Sequence, residues 1–159
     1  REGGNVLQAM DSYAPDAQIG DEVVILGGGL VGCETAVHLA GQGKCVTLIE
    51  MGDSLMRDAY RLHRIHVLQR IERLGVNVLL NTKCLGVEPP YVLMERDGSA
   101  EKVKADTVIA ALGMRSRSAQ NLRAAAEAQG AVFYEVGDCA APRKIVDAID
   151  EGFQLASSL

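Results

Sequence analysis

The six residues Gly27-Gly28-Gly29-Leu30-Val31-Gly32 constrain this chain more than any other stretch. They follow Val23-Val24-Ile25-Leu26, a short, largely β-branched apolar run that reads as a strand buried on both faces of a parallel sheet. They lead into Leu30 to Ala40, where Val31, Thr35, Ala36, Leu39 and Ala40 recur at helical spacing before Gly41 and Gly43 punctuate the end. G-x-G-x-x-G between a strand and a helix is the arrangement that seats a dinucleotide. Gly27 allows the tight turn, Gly29 lets the backbone approach a pyrophosphate, and Gly32 lets the helix lie on the sheet with no Cβ in the way. Gly28, Leu30 and Val31 complete the loop, and the helix N-terminus offers unpaired N–H groups and a partial positive charge to the phosphates. Cys45 to Glu50 is a second strand, and Glu50 at its end stands where a carboxylate accepts hydrogen bonds from both adenosine-ribose hydroxyls, with Met51 beside it. The competing reading is a plain tight βα turn in a domain that binds no nucleotide; strand, helix and Glu50 in register weigh against it.

Glu50 also bears on which nucleotide fits. A 2′-phosphate would meet like charge there, which favours NAD(H) over NADP(H), although Arg57 and Arg61 lie just beyond the strand end. Glu34 reads from spacing alone as an acid in the first turn of the helix, complementing its dipole. Cys33 reads as a small buried hydrophobe.

The rest of the chain continues the alternation of strand and helix. Arg1 to Gly20 is irregular, with Gly3-Gly4 and Pro15, and reads as a linker. Asp53-Ser54 carries N-cap chemistry ahead of a helix from Tyr60 to Leu74, in which arginines ride beside Leu62, Ile65, Leu68 and Ile71. That face, with His63 and His66 on it, reads as solvated. Val76 to Leu80 is a third strand. Lys83 to Val87, Tyr91 to Glu95 and Lys102 to Ala105 form a small antiparallel meander around Pro89-Pro90 and Asp97-Gly98 turns. Thr107 to Leu112 is a buried strand ending at Gly113; then come a helix from Asn121 to Gln129, a strand from Val132 to Val136, and a helix from Ile145 to Ser158. The expected fold class is α/β, a Rossmann-like doubly wound parallel sheet with a small antiparallel meander.

Composition closes off other classes. Sixteen basic residues against 21 acidic give a net charge of −5, the wrong sign for a nucleic-acid backbone or an anionic membrane. Two Phe, four Tyr and no Trp leave little on which bases could stack. Cys33, Cys45, Cys84 and Cys139 lie far apart, with no C-x-x-C and no paired clusters of Cys and His, so neither a zinc site nor an iron–sulfur cluster is written in them and a reducing cytoplasm suits them. No apolar run is long enough to span a bilayer.

Three stretches together resemble the pyridine-nucleotide-binding part of flavoproteins that carry one dinucleotide domain for FAD and one for NAD(P)H. Val23 to Glu50 resembles that family's NAD(P)H fingerprint, including the acid of G-x-E, here Gly32-Cys33-Glu34. Asp106 to Gly113 is similar to the strand ending in A-x-G, where the chain returns toward the FAD domain. Tyr134 to Ala148 is similar to the segment whose Gly-Asp pair, here Gly137-Asp138, bonds the FAD ribitol. The resemblance implies that Glu34 lies near the nicotinamide carboxamide, that Gly113 edges the cofactor, and that Gly137 and Asp138 are half of an FAD site. Within the family, GGGLVGCETA, ALGMRS and GDCAAPRKI are most similar to the C-terminal region of NADH:flavin oxidoreductases related to 2,4-dienoyl-CoA reductase and trimethylamine dehydrogenase. Those proteins join this region to a barrel that carries FMN and an iron–sulfur cluster, so the implied partners are NADH and the missing FAD-domain and barrel portions of the same polypeptide.

The expected organisation is a linker over 1–20, an NAD(H)-binding domain over 21–113, and the C-terminal portion of an FAD-binding domain over 114–159. A second glycine fingerprint is absent from these residues, as is the C-x-x-x-x-C or C-x-x-C pair of the family's disulfide branch. The expected function is passage of a hydride from NADH to flavin in the intact protein, with no residue here acting as general acid or base. Short-chain dehydrogenase chemistry fails, because the residues four beyond Tyr13, Tyr60, Tyr91 and Tyr134 are Ala17, Arg64, Glu95 and Asp138, never Lys. A methyltransferase shares the loop and the strand-end acid but needs no Gly137-Asp138 segment. A non-catalytic module that senses NAD(H) remains the alternative.

Overall fold

Alternation along the central strand sorts its side chains onto two faces, and each face has its own cover. The computed structural model describes residues 5–159. In it β1 (Asn5–Gln8), β2 (Glu22–Leu26), β3 (Cys45–Ile49), β4 (Asn77–Leu79) and β8 (Thr107–Ala110) form a five-stranded sheet in the order β1-β8-β2-β3-β4, parallel at every pairing. Val23 and Ile25 join the core on one face with Cys33, Ala36, Val37 and Leu39 of α1 (Leu30–Gly41) and Val67 and Ile71 of α2 (Arg61–Arg73). Val24 and Leu26 join the core on the other face with Val92 and Met94. Those two belong to an antiparallel meander of β5 (Thr82–Glu88), β6 (Tyr91–Arg96) and β7 (Ser99–Lys104). The fold is therefore α/β and Rossmann-like, with the meander covering the face that a second layer of helices takes in a fully doubly wound sheet. Asp97 and Gly98 both have positive φ, 52° and 74°, as a two-residue hairpin turn between β6 and β7 requires.

Two sequence expectations change here. The segment read as a linker contributes β1, which pairs with β8 from Asn5↔Thr107 to Gln8↔Ala110. Its continuation, a 3-10 turn over Ala9–Tyr13, stacks Tyr13 on His38 at 4.8 Å between ring centroids and puts the Tyr13 hydroxyl 3.2 Å from Thr35 Oγ1. Four residues are too short a run for periodicity to register, so the sheet rather than local pattern makes this strand. The expected cap at Asp53-Ser54 is also displaced: Tyr60 precedes α2 with no side-chain cap, and Asp53 serves elsewhere.

Contacts divide the chain between Gly113 and Met114. The second unit contains α3 (Gln120–Glu127), a 3-10 turn over Gly137–Cys139, and α4 (Ile145–Ser158). The strand expected over Val132–Val136 is not formed: Val136 is extended, at φ −136° and ψ 158°, yet no strand among the described residues pairs with the segment, and without a partner its backbone bonds no ladder.

Candidate dinucleotide site

The strand order reverses at β2, whose chain successor β3 lies on one side while β8 lies on the other. In an open α/β sheet, ligands bind in the crevice beyond the carboxyl ends of the strands at such a point. The loop 27–32 leaves β2 here, and Ala111, Leu112 and Gly113 leave β8. The two exits touch: the Ala111 N–H donates to the Leu26 carbonyl at 2.8 Å, and a Cβ on Gly27, whose φ is +104°, would stand 2.5 Å from the Ala111 carbonyl oxygen. Gly113 has φ +93° and open space around its α-carbon.

The glycines divide by what they face. A Cβ on Gly32 would run into the Gly27 carbonyl, so α1 reaches the loop only because that position has no side chain. Gly28 is buried under Leu55 and the Glu50 stem. Gly29 is the opposite case: its φ is −69°, and nothing lies within 4 Å of where its Cβ would be. It stands at the N-cap of α1 with no side-chain cap, and Leu30 and Val31 behind it are exposed. The unpaired N–H groups of the first turn therefore face open space beside a bare α-carbon, a cradle that a pyrophosphate fits and that a methyl group would fill.

Glu50 is half-buried at the end of β3 and is held by two backbone donors. The Gly28 N–H reaches its Oε2 and the Gly52 N–H its Oε1, both at 2.6 Å. Both oxygens keep lone pairs for further donors, as ribose hydroxyls would supply. Met51 beside it is exposed. The segment beyond is a strap across the loop. The Met56 N–H donates to the Gly28 carbonyl at 2.8 Å, and Met56 is only 2% exposed although its φ is +51°. Arg64 on α2 holds the strap from outside, its Nε donating to the Leu55 carbonyl at 2.8 Å. No sequence signal marks Met56, whereas the Gly52 that follows Glu50 after one residue was a readable sign of close approach.

Glu34 is the fifth residue of α1, in its second turn, so it is not the first-turn dipole partner that spacing suggested. Its carboxylate is 3.1 Å from His63 Nε2 on α2, and both side chains are nearly half exposed. Cys33 is buried, its thiol donating to the Gly28 carbonyl at 3.3 Å. Burial, reinforced by the Glu50 and Glu34 charges, pushes that thiol up to about 12, which leaves it protonated and inert at neutral pH.

In the second unit Gly137 is buried at φ +63°, where a Cβ would stand 2.9 Å from the Ala148 Cβ. Its N–H donates to Glu151 Oε2 at 2.7 Å, and Arg143 pairs with the same carboxylate. Asp138 is exposed, with Oδ1 accepting the Arg143 N–H at 3.3 Å. Glycine at 137 is thus what lets this turn lie against α4.

The family model for pyridine nucleotide-disulphide oxidoreductases matches residues 4–152. The chain belongs to that family. It is similar to an NADH oxidase from Thermoanaerobacter brockii, 33% identical across 98% of this chain and 24% of the relative. It is similar also to a metal reductase from Desulforamulus reducens, 32% identical across 98% of this chain and 27% of the relative. Among solved structures, a 2-naphthoyl-CoA reductase superposes with TM-score 0.81 at 28% identity, covering 97% of this chain and 23% of that one. A histamine dehydrogenase from Rhizobium shares the fold with TM-score 0.78 at 21% identity. The chain thus spans about a quarter of the length of these relatives. Family membership brings NAD(H) and FAD as cofactors and an oxidoreductase as the enzyme class. Among the described residues, no His, Cys, Asp and Glu cluster into a metal site, and no helix is long and apolar enough to cross a membrane.

Proposed function

We propose that this chain is the NADH-binding part of a larger FAD-dependent oxidoreductase, in which hydride passes from NADH to flavin. The observation that carries the reading is the bare Gly29 face at the uncapped start of α1, with the Glu50 carboxylate fixed at the end of the neighbouring strand. Gly27 to Gly32 hold the pyrophosphate, with Leu30 and Val31 contributing backbone N–H groups. Glu50 takes the adenosine ribose with Met51 beside it, while Glu34 and Gly113 lead the nicotinamide toward its acceptor. The cofactors supply the redox chemistry, a two-electron transfer with its hydrogen; the chain supplies alignment, and none of its side chains moves a proton. Residues 21–113, with β1 added to their sheet, are the NAD(H) domain. Residues 114–159 are the C-terminal portion of an FAD domain, in which Gly137 and Asp138 belong to the flavin site.

The relatives' length supports a longer polypeptide, and the resemblance of the three motifs supports its continuing into the remainder of the FAD domain and a barrel with FMN and an iron–sulfur cluster. The likeness to 2-naphthoyl-CoA reductase supports kinship with NADH:flavin oxidoreductases of the 2,4-dienoyl-CoA reductase and trimethylamine dehydrogenase type. The free cysteines suit a cytoplasmic protein. The isolated 159 residues bind NADH weakly and catalyse nothing. Calorimetric titration of the chain with NADH and with NADPH tests this: NADH is expected to bind more tightly, and equal binding overturns the assignment of Glu50 as the discriminating group. A yellow preparation with stoichiometric FAD would overturn the division of the flavin site.

A further inference from the structure

Arg57 is a cation close to the Glu50 end of β3, and it is already engaged. Its Nη2 lies 2.7 Å from Asp53 Oδ1, one turn's spacing back along the strap. The guanidinium lies directly over Gly52. A Cβ at that residue would stand 2.9 Å from Arg57 Nη2 and 3.1 Å from Glu50 Oε1, so the cation and the ribose-binding carboxylate flank the same point. Gly52 has no side chain there, and its N–H is what Glu50 Oε1 accepts. Three charges thus meet where the ribose 2′-position would fall: Glu50, Asp53 and Arg57, with a net charge of −1.

We propose that Asp53 is a specificity-determining residue that acts by masking Arg57. This rests on the NADH reading above. A guanidinium beside the ribose is the group best suited to a 2′-phosphate, since it is planar, permanently charged and forked. Asp53 Oδ1 engages one arm of that fork, Nη2, and adds a second negative charge next to Glu50. Arg57 is thereby kept paired within the strap. The ion pair is well exposed on both sides, 61% and 76%, so it adds little to folding, and its removal leaves Leu55 and Met56 seated by their own contacts. Discrimination therefore rests on two carboxylates: Glu50 bonds the diol, and Asp53 withholds the cation that would reward a phosphate.

The test is calorimetric titration of the 159-residue chain and its Asp53→Asn, Arg57→Ala and doubly substituted variants with NADH and NADPH at low and high salt. Loss of one like charge and release of the guanidinium next to a phosphate of nearly two charges is expected to tighten NADPH binding about fivefold in Asp53→Asn. NADH binding should stay within about twofold. The gain should vanish in the double variant and shrink at high salt. An Asp53→Asn chain with unchanged NADPH affinity, or a gain that persists without Arg57, overturns the masking role. A parent chain that binds neither nucleotide overturns the NADH reading itself, and the inference with it. Equal changes for NADH and NADPH mean a merely structural pair and count against the proposal.

Discussion

Replacing Glu50 by Gln is the sharpest perturbation of the site because the substitution preserves shape and changes only charge and hydrogen-bond polarity. The carboxylate accepts the Gly28 N–H and the Gly52 N–H, one on each oxygen, both at 2.6 Å. A glutamine offers one acceptor oxygen and one N–H₂ group, so whichever way it turns, one backbone donor faces another donor. If the amide oxygen keeps the buried Gly28 N–H, the Gly52 N–H is left to find water; the reverse arrangement orphans a buried donor. Charge-assisted bonds contribute roughly 1.5–3 kcal/mol each, and Gly52 is only half-buried, so the expected loss of stability is about 2 kcal/mol. With a urea slope of about 1–3 kcal/mol per molar, the midpoint followed by far-UV circular dichroism should fall by roughly 1 M. NADH binding should weaken by about 1.5–3 kcal/mol, roughly 10- to 150-fold in Kd, because the ribose loses its charged acceptor. The gap between NADH and NADPH should narrow as well. If Glu50→Gln unfolds at the parent midpoint with the same slope and binds NADH within twofold of the parent, the carboxylate neither pins the loop nor reads the ribose.

Two glycine substitutions separate folding from binding. Gly29→Ala places its methyl in open space at an ordinary φ, so the urea midpoint should stay within about 0.5 kcal/mol of the parent while NADH affinity drops at least about tenfold by calorimetry. Gly32→Ala drives its methyl onto the Gly27 carbonyl, so α1 must move and stability should fall by about 1–3 kcal/mol along with binding, measured in the same two assays. Iodoacetamide at pH 8 should label the exposed Cys45 and Cys139 and leave Cys33 unmodified, as peptide mass spectrometry would show. Because the folded Cys33 thiol titrates near 12 and the unfolded one near 9.0, the stability linked to it is complete below pH 9 and is lost as pH rises from there toward 12, so the urea midpoint of Cys33→Ala should decline less over that range than that of the parent.

The βαβ at the centre of the chain was legible because its information is local. Strand burial, helix spacing and the need for bare α-carbons at 27, 29 and 32 all act within one short segment, and the structure places β2, α1 and β3 within a residue or two of the expected limits. The hairpin turn at Asp97-Gly98 was legible for the same reason, since positive φ at two successive residues leaves few sequence choices. What escaped depends on partners distant in the chain. Asn5–Gln8 becomes a strand only because β8 presents an open edge more than 95 residues later. Val132–Val136 has the composition of a strand and no strand beside it among the described residues. Met56 adopts a left-handed backbone that nothing in its side chain prefers, because its N–H is drawn to the Gly28 carbonyl and its side chain into the core.

The Gly28 peptide explains how these pieces make one site. Its N–H is taken by Glu50, and its carbonyl by the Met56 N–H and the Cys33 thiol, so the loop is tied on its core side by three different elements. The opposite side of the loop faces outward, with open space at the Gly29 α-carbon and Leu30 and Val31 exposed at the start of α1. A loop held in this way loses little conformational freedom when an anion arrives, so more of the phosphate interaction appears as affinity. Pyrophosphate binding by itself does not distinguish one nicotinamide dinucleotide from the other, since both present the same diphosphate to the same N–H groups. Discrimination must come from the side chains at the far end of β3, where Glu50 bonds the loop through the Gly28 and Gly52 N–H groups and, on the proposed function, also takes the ribose. That double duty predicts coupling. Any change at Glu50 that alters nucleotide preference also loosens the loop, whereas changes at Asp53 or Arg57, whose exposed ion pair lies within the strap, can move preference while the loop stays fixed.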